Sequence, residues 1–169
     1  MRTKRLELRP VRESDWPAIQ RIWLDFSQSE YVWYDTEKDT ADDAVRARIA
    51  HWAACAGPDH FFHAVCLEDA VIGYISLNRI DRGYELGYGF QKRYHGFGYA
   101  RESLRAILEE QKASGTERIC AGTALKNMPS VRLLESLGFS LAGREYRSFH
   151  TGPDGNPVWF EGGLFEKIL

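Results

Sequence analysis

One stretch of this sequence, residues 84–108, constrains the fold more than any other. It starts with an apolar and aromatic run, crosses a loop that contains Gly96 and Gly98, and continues into a segment with apolar residues at helical spacing. This order predicts a strand, a glycine loop and a helix. Glycine accepts positive φ angles and has no Cβ, so a ligand can approach the loop backbone closely. Because the first turn of a helix has unpaired N–H groups and a partial positive charge, the stretch is typical of a phosphate-binding site.

Apolar periodicity along the rest of the chain predicts an α/β protein with about seven strands and about four helices. The segments that read as strands are residues 6–11, 61–67, 70–77, 84–90, 118–124, 139–149 and 158–168. Helices are expected after an N-cap at Ser14, after an N-cap at Asp39 or Thr40, from Tyr99, and around Pro129. Short turns make the strands between residues 61 and 90 antiparallel, whereas the long connection through the glycine loop makes the next strand parallel to its predecessor. The predicted sheet is therefore mixed, mostly antiparallel, with a central parallel pair.

Length and composition narrow the class of protein further. A chain of 169 residues fits one domain, residues 1–169, that buries its own core. Its 24 acidic and 22 basic residues form no long block of one sign, so a nucleic-acid partner is not indicated. No apolar run has the length of a membrane helix, and the N-terminus lacks the apolar segment of a signal peptide. The three cysteines show neither disulfide nor metal-ligand spacing, so we expect a cytoplasmic protein without a metal or a membrane partner.

Three motifs, in the expected order along the chain, resemble one family. Residues 93–98, Arg-Tyr-His-Gly-Phe-Gly, resemble the R-x-x-G-x-G pyrophosphate loop of the GNAT family of N-acetyltransferases, and residues 98–104 are similar to its ribosomal-protein N-terminal acetyltransferase branch. Residues 127–139, which end in Leu-Gly-Phe, are similar to the family's following helix, and residues 5–10 with Asp15 give a third match. A dinucleotide-binding site would need G-x-G-x-x-G near the first strand, and the sequence has only G-x-G at this point.

The resemblance implies that acetyl-CoA is the co-substrate and that it binds where the strands at 84–90 and 118–124 splay apart. Strand groups in such a gap lose their partners, and in this family pantetheine replaces them. N–H groups of the glycine loop would hold the pyrophosphate, and the helix that follows would add its dipole. The residues implied in cofactor binding are Tyr88, Gly89, Phe90, Arg93, Tyr94, His95, Gly96, Phe97, Gly98, Tyr99, Ala100, Asn127 and Ser130. The alternative is a tight turn from strand to helix that binds no ligand.

Transfer to an amine requires a base, because most amines are protonated at neutral pH. Glu85 is the first candidate, since strand alternation places it on the same side as Gly87 and Gly89, beside a face that lacks side chains. A strand glutamate is also suited to solvation or to a cross-strand ion pair. Glu145, His150 and a chain of waters are the other candidates for the base.

The donor to the leaving thiolate is harder to assign. In much of the resembled family the position of Leu134 is a tyrosine that protonates the thiolate, which leucine cannot do. Ser130 lies one turn earlier on the same helical face, and the resemblance makes it the candidate donor; alternatively it satisfies a backbone group in the first turn. Asn127 is expected to contact a pantetheine amide or to cap the helix. A backbone N–H near Tyr88 or Gly89 is the candidate oxyanion donor.

An aromatic and acidic segment, residues 30–35, is the candidate wall of the acceptor site through Tyr31, Trp33 and Tyr34. Aromatic faces near carboxylates suit a cationic amine, and the same rings can instead cover the edge of the core. The resemblance implies transfer of an acetyl group to a primary amine by direct attack, with a small-molecule amine or a peptide N-terminus as acceptor. A non-catalytic acyl-CoA-binding module is the competing class, and a homodimer is left open.

Overall fold

The computed structural model describes residues 1–55 and 57–169, which form a seven-stranded sheet with flanking helices. The elements in chain order are β1 (Glu7–Pro10), α1 (Trp16–Ser27), α2 (Asp42–Ala54), β2 (His60–Leu67), β3 (Ala70–Ile80), β4 (Gly83–Phe90), α3 (Tyr99–Ala113), β5 (Arg118–Ala124), α4 (Met128–Ser136), β6 (Ser140–Thr151) and β7 (Pro157–Ile168). The strand order is β1-β2-β3-β4-β5-β7-β6, and β4 and β5 are the parallel pair in an otherwise antiparallel sheet of described residues. The predicted α/β class with a mixed sheet and a central parallel pair is confirmed.

Helices cover both faces of this sheet and divide the buried side chains into two clusters. On one face, here called the α3–α4 face, Leu104 and Leu134 pack against the inward-pointing residues of the central strands. On the other, the α1–α2 face, Ile19 and Ile49 pack against a cluster that includes Tyr74 of β3. Because successive residues of a strand point to opposite faces, each residue of β4 can be assigned to one of these two faces.

Two helix starts differ from the sequence prediction. The N-cap of α1 is Asp15, because Ser14 is part of a short 3-10 turn that precedes the helix. The N-cap of α2 is Ala41, because the Asp39 carboxylate accepts the Ala41 N–H at 2.9 Å and closes a turn ahead of the helix. The predicted N-caps at Ser14 and at Asp39 or Thr40 were therefore wrong.

An ion pair between the buried Asp15 and the partly buried Arg9 explains why the Asp15 side chain does not cap its helix. Arg9 donates from Nη1 and Nη2 to the two oxygens of Asp15 at 2.7 and 2.8 Å, and the Arg12 N–H donates to Oδ2 at 2.7 Å. The side chains of Arg9 and Asp15 are only 18% and 5% exposed. Burial raises the pKa of Asp15, but the hydrogen bonds from Arg9 and Arg12 outweigh it, and the net pKa lies below the ordinary value. The pair joins the first strand to the first helix.

Candidate active site

The parallel strands β4 and β5 pair over three residues and then separate. The paired residues are Gly83, Tyr84 and Glu85 on β4 with Arg118, Ile119 and Cys120 on β5. Just after β4, the Gln91 N–H donates to Ile72 O on β3 at 2.9 Å. Since the main-chain groups of successive strand residues point to opposite edges, those of Phe90 and Tyr88 point toward β5. They face a gap between β4 and β5. The sequence predicted that these two strands separate at this point.

The loop between β4 and α3 bends around two glycines with left-handed backbone conformation. Gly96 and Gly98 have φ angles of 83° and 80°, and Gly98 is the N-cap of α3. A Cβ at Gly96 would have no heavy atom of the described residues within 4 Å. The loop backbone at this point is therefore open to a ligand, as the motif predicts.

Some of the N–H groups expected to be free in this loop are used by the chain itself. The Tyr94 N–H donates to Gln91 O at 2.9 Å and the His95 N–H to Lys92 O at 3.1 Å, because residues 92–94 form a 3-10 turn. The His95 side chain also contributes, since its Nε2 is 2.9 Å from the carbonyl oxygen of Phe90. Between Gln91 and Arg101, the N–H groups for which the described residues provide no acceptor are those of Arg93, Gly96, Phe97, Gly98, Tyr99, Ala100 and Arg101.

The N-terminal motif holds this loop in place through Arg5. Its Nη1 donates to Phe97 O at 3.0 Å, its Nε donates to Glu102 at 2.7 Å, and its guanidinium lies 4.6 Å from the centroid of the Tyr99 ring. The Thr3 hydroxyl donates to the same Glu102 carboxylate at 2.6 Å. Burial raises the pKa of Glu102, but the hydrogen bonds from Thr3 and Arg5 lower it by more. A segment far away in sequence therefore fixes the start of α3.

The residues of α4 divide between the cap, the gap and the core. Asn127 is the N-cap, and its Oδ1 accepts the Ser130 N–H at 3.3 Å, so the predicted capping role is confirmed. Its side-chain NH₂ has no acceptor among the described residues and can still donate to a ligand. Leu134 is fully buried in the cluster of the α3–α4 face, where it serves packing alone.

The Tyr88 side chain makes a contact with α4 that the sequence did not predict. Its hydroxyl lies 2.8 Å from Ser130 Oγ. Burial raises the pKa of the Tyr88 phenol, and the hydrogen bond with Ser130 offsets part of that rise. Strand alternation, which sends Tyr88 to the same face as Leu86, was the available signal, but the sequence alone could not place α4 beside it.

Glu85 lies on the α1–α2 face, at the last residue pair before the gap. It is exposed, opposite Asn78 on β3 and Cys120 on β5. The sequence suggested that Gly87 and Gly89 leave a face without side chains beside Glu85. They do not, because side chains of β3 occupy that space. A Cβ at Gly87 would lie 2.6 Å from Ser76 Oγ, and one at Gly89 would lie 2.7 Å from a ring carbon of Tyr74.

The open surface without side chains lies instead on β5, on the other side of the gap. A Cβ at Gly122 would meet no heavy atom of the described residues within 4 Å. Gly122 follows Cys120 by two residues, so it points to the same face as Glu85. A substrate that lies flat on the α1–α2 face therefore has room beside β5.

The aromatic segment packs on the hairpin of β6 and β7. The rings of Trp33 and His150 are 5.7 Å apart in an edge-to-face arrangement, and those of Tyr34 and Phe160 are 5.3 Å apart. Trp33 remains 40% exposed and Tyr31 is partly exposed. The segment therefore covers part of the hairpin and leaves aromatic surface exposed, and its role as a wall of the acceptor site stays a prediction.

Two of the alternative bases are already engaged by other groups. His150 Nε2 lies 2.7 Å from the Asp35 carbonyl oxygen, to which it donates, so only Nδ1 remains as an acceptor. Glu145 forms an ion pair with Arg147 at 2.7 Å. Its register with Gly162 places it on the hairpin, whereas Glu85 lies at the gap itself.

Cys120 is the cysteine next to the gap, at the last residue pair of β4 and β5. Cys120 is buried, and burial raises the pKa of its thiol, so it is a poor nucleophile at neutral pH.

In the described ranges, 1–55 and 57–169, no three His, Cys, Asp or Glu side chains are grouped as metal ligands. Over those same residues, no helix has the length and apolar character needed to cross a membrane.

In this α/β fold, a parallel strand pair that separates beside a helix N-terminus with free N–H groups is suited to bind an extended, phosphate-bearing ligand. The chain belongs to the GNAT acetyltransferase family: the acetyltransferase (GNAT) domain matches residues 5–140. It is 30% identical to the uncharacterized N-acetyltransferase YnaD of Bacillus subtilis (strain 168) over 162 residues, covering 94% of this chain and 91% of the relative. Family and relative together identify an N-acetyltransferase.

Solved structures share the fold over nearly the whole chain. The ribosomal-protein-S5-alanine acetyltransferase of Vibrio fischeri superposes with a TM-score of 0.82 at 20% identity, covering 99% of this chain and 95% of that one. The spermidine N-acetyltransferase of Vibrio cholerae, in complex with CoA and spermine, gives a TM-score of 0.80 at 18% identity, covering 98% and 96%. Transfer of acetyl groups to amines is the activity of the family to which the chain belongs.

Proposed function

We propose that residues 1–169 form a single N-acetyltransferase domain that moves the acetyl group of acetyl-CoA to a primary amine by direct attack. The observation that carries the proposal is the gap between β4 and β5, with main-chain groups turned into it, next to the free N–H groups of the glycine loop. A plain turn from strand to helix needs neither feature. An extended ligand with amide groups and a pyrophosphate uses both.

The groups of the site match the parts of acetyl-CoA. The free N–H groups from Gly96 to Ala100 would hold the pyrophosphate. The main-chain groups of Tyr88 and the N–H of Phe90 would pair with the pantetheine amides, since the Phe90 carbonyl oxygen is already bonded to His95. The side-chain NH₂ of Asn127 is available to a pantetheine carbonyl. When bound, acetyl-CoA supplies an acyl carbon activated by a sulfur leaving group.

Glu85 is the proposed base. It lies where the gap begins and on the α1–α2 face, so an amine that enters the gap from that face meets its carboxylate, directly or through a water. Ser130 belongs to the α3–α4 face and is the proposed donor to the departing sulfur. Base and donor therefore act from opposite faces of the sheet. An acyl-cysteine route is disfavoured because burial keeps Cys120 as a thiol.

The acceptor is proposed to be a small-molecule amine or a protein N-terminal amine. Trp33 and Tyr31 present aromatic surface near the hairpin, which suits a cationic group. The names of the two Vibrio structures give a ribosomal-protein alanine and spermidine as acceptors, so both kinds of amine belong in the test.

Turnover across a panel of amines tests the proposal. Purified protein is mixed with acetyl-CoA and with polyamines, amino acid derivatives or peptides with free N-termini, and release of free CoA thiol is followed together with the mass of the acceptor. We expect thiol release that depends on the amine, and an acceptor heavier by one acetyl group. A non-catalytic binding module would instead show a thermal shift with acetyl-CoA and no amine-dependent thiol release.

Substitution of Gly98 by alanine should weaken CoA binding while the same change at Gly115 should not. Both glycines have φ of 80°, so each alanine should lower stability by a similar amount, about 1–2 kcal/mol. Of the two glycines, only Gly98 orients the free N–H groups at the start of α3. The G98A variant should therefore lose one charge-assisted hydrogen bond to CoA, which should raise the Kd for CoA roughly tenfold. Calorimetric titration with CoA and thermal unfolding of both variants measure the two effects. Equal loss of CoA affinity in both variants would show that the strain acts through general stability.

A further inference from the structure

Tyr88 and Ser130 form a hydrogen bond between β4 and α4, on the α3–α4 face of the gap. The phenol oxygen and Ser130 Oγ are 2.8 Å apart, and within the described part of the chain neither hydroxyl has another partner. The Tyr88 ring packs against the apolar cluster of that face. Ser130 itself is held in the first turn of α4 by the Asn127 cap. Both hydroxyls are therefore fixed by the fold, at the edge of the gap.

We propose that the Tyr88 hydroxyl positions Ser130 as the hydrogen-bond donor to the sulfur atom released from the acetyl group, an inference that rests on the proposed function. The sequence offers no phenol on α4, where the core position is occupied by Leu134. The structure supplies a phenol from the neighbouring strand instead. Tyr88 acts through Ser130, so it is a positioning residue.

The direction of the hydrogen bond follows from the chemistry of the two groups. A serine hydroxyl has one hydrogen and two acceptor lone pairs, and a phenol is the more acidic of the two hydroxyls and hence the better donor. When Tyr88 donates to Ser130 Oγ, the serine hydrogen is free to point elsewhere. The opposite arrangement would use the only hydrogen that Ser130 has to offer to a ligand.

The transfer step balances without a proton from either hydroxyl. The amine nitrogen forms a bond to the acyl carbon, the carbon–sulfur bond breaks, and sulfur keeps the electron pair. The proton lost by the amine goes to Glu85 or to a water beside it, and solvent later protonates the sulfur. Ser130 lowers the energy of the anionic sulfur by a hydrogen bond that becomes strongest as the negative charge develops. Tyr88 keeps its proton, which agrees with the raised pKa of its buried phenol.

Binding of CoA and of desulfo-CoA tests the inference without relying on turnover. Desulfo-CoA lacks the sulfur atom, so the ratio of the two Kd values reports interactions at that atom. The ratio is measured by calorimetry at several pH values for the wild type, Y88F, S130A and Y88F/S130A. The matched control is Y84F, since Tyr84 lies on the same strand and face, donates to Pro58 O at 2.7 Å and accepts from Arg79 at 2.9 Å.

We expect the wild type to prefer CoA increasingly as the pH rises and the thiol ionises. The preference should reach roughly tenfold, the size expected for a hydrogen bond to a charged group. S130A should abolish the preference, and Y88F should reduce it about threefold to fivefold, with kcat falling by a similar factor and KM for acetyl-CoA unchanged. The double variant should behave like S130A, because Tyr88 acts only through Ser130. Y84F should keep the full preference even if its melting temperature falls.

Two results would overturn the inference and are separable from failure of the proposed function. Equal affinity of the wild type for CoA and desulfo-CoA at every pH would exclude a donor at sulfur, even in an enzyme that acetylates amines. Independent, additive effects of Y88F and S130A would show that Tyr88 does not act through Ser130. A wild type that prefers CoA but releases no thiol with any amine would contradict the proposed function alone.

Discussion

Replacement of Glu85 by glutamine should lower kcat by roughly 100-fold or more, the lower end of the range for loss of a general base. Glutamine keeps the size of the side chain and its place at the end of the β4–β5 pairing, but it cannot accept the proton of an ammonium group. Because Glu85 lies on the face opposite the thiolate donor, affinity for acetyl-CoA should stay unchanged. Steady-state kinetics with the best amine of the panel, together with calorimetric titration of acetyl-CoA, separates the two effects.

Glu166 provides the matched control for this experiment. Glu166 is on β7 and lies opposite Cys120 of β5, so its side chain is on the same face as Glu85. Unlike Glu85, it is paired with Arg118, at 3.6 Å. E166Q should change kcat by less than about twofold, as expected for a pair that is partly exposed. If E85Q kept its activity while E145Q or a His150 variant lost it, the base would lie on the hairpin of β6 and β7.

Removal of the Asp15 carboxylate should have the largest effect on stability. D15A leaves the partly buried Arg9 guanidinium without its partner. Breaking the pair in this way should lower the free energy of unfolding by about 3 kcal/mol, the lower end of the range for buried pairs. The exposed pair of Arg2 and Glu7, at 3.6 Å and with side chains 82% and 45% exposed, is the control. E7A should change the free energy of unfolding by less than about 1 kcal/mol. Urea unfolding near neutral pH measures both.

The pH dependence of unfolding gives a second readout for the same pair. The pKa of Asp15 is lower in the folded protein than in the unfolded chain, so its contribution is complete above the unfolded pKa. That contribution is lost as the pH falls through the folded pKa, in the range below about pH 4. The wild type should therefore lose stability more steeply in acid than D15A does. Parallel acid profiles, or equal losses for D15A and E7A, would contradict the assigned role.

The fold and the conformation of the glycine loop could be predicted from the sequence because their signals are local. Spacing of apolar residues gives the strands and helices, and Gly96 and Gly98 mark a turn that only residues without a Cβ adopt easily. The predicted helix caps failed because a turn precedes each helix: Ser14 lies in a 3-10 turn, and the Asp39 carboxylate accepts the Ala41 N–H. A residue that favours a helix cap also favours such a turn, so the sequence did not separate the two.

The rest of the site depends on residues that are remote in sequence. The Tyr88–Ser130 hydrogen bond joins residues 42 apart, and the Arg5 contact with Phe97 spans 92. The sequence named Arg5 as part of a motif and Tyr88 as a cofactor-binding residue, but it did not give their partners. The space beside Gly87 and Gly89 was likewise misjudged, because the side chains that fill it come from β3. The cytoplasmic location and the homodimer stay predictions.

The short pairing of β4 with β5 has a consequence for the lifetime of the protein. Only three residue pairs join the four strands β1 to β4 to the three strands β5, β7 and β6, so main-chain pairing is weakest at the centre of the sheet. A cofactor that binds between β4 and β5 connects the two parts of the sheet. It stabilises the native state by RT ln(1 + [L]/Kd), where [L] is the free cofactor concentration and Kd its dissociation constant. Proteases act on molecules that have opened, so the rate at which the polypeptide is degraded should fall as the supply of thioester in the cell rises.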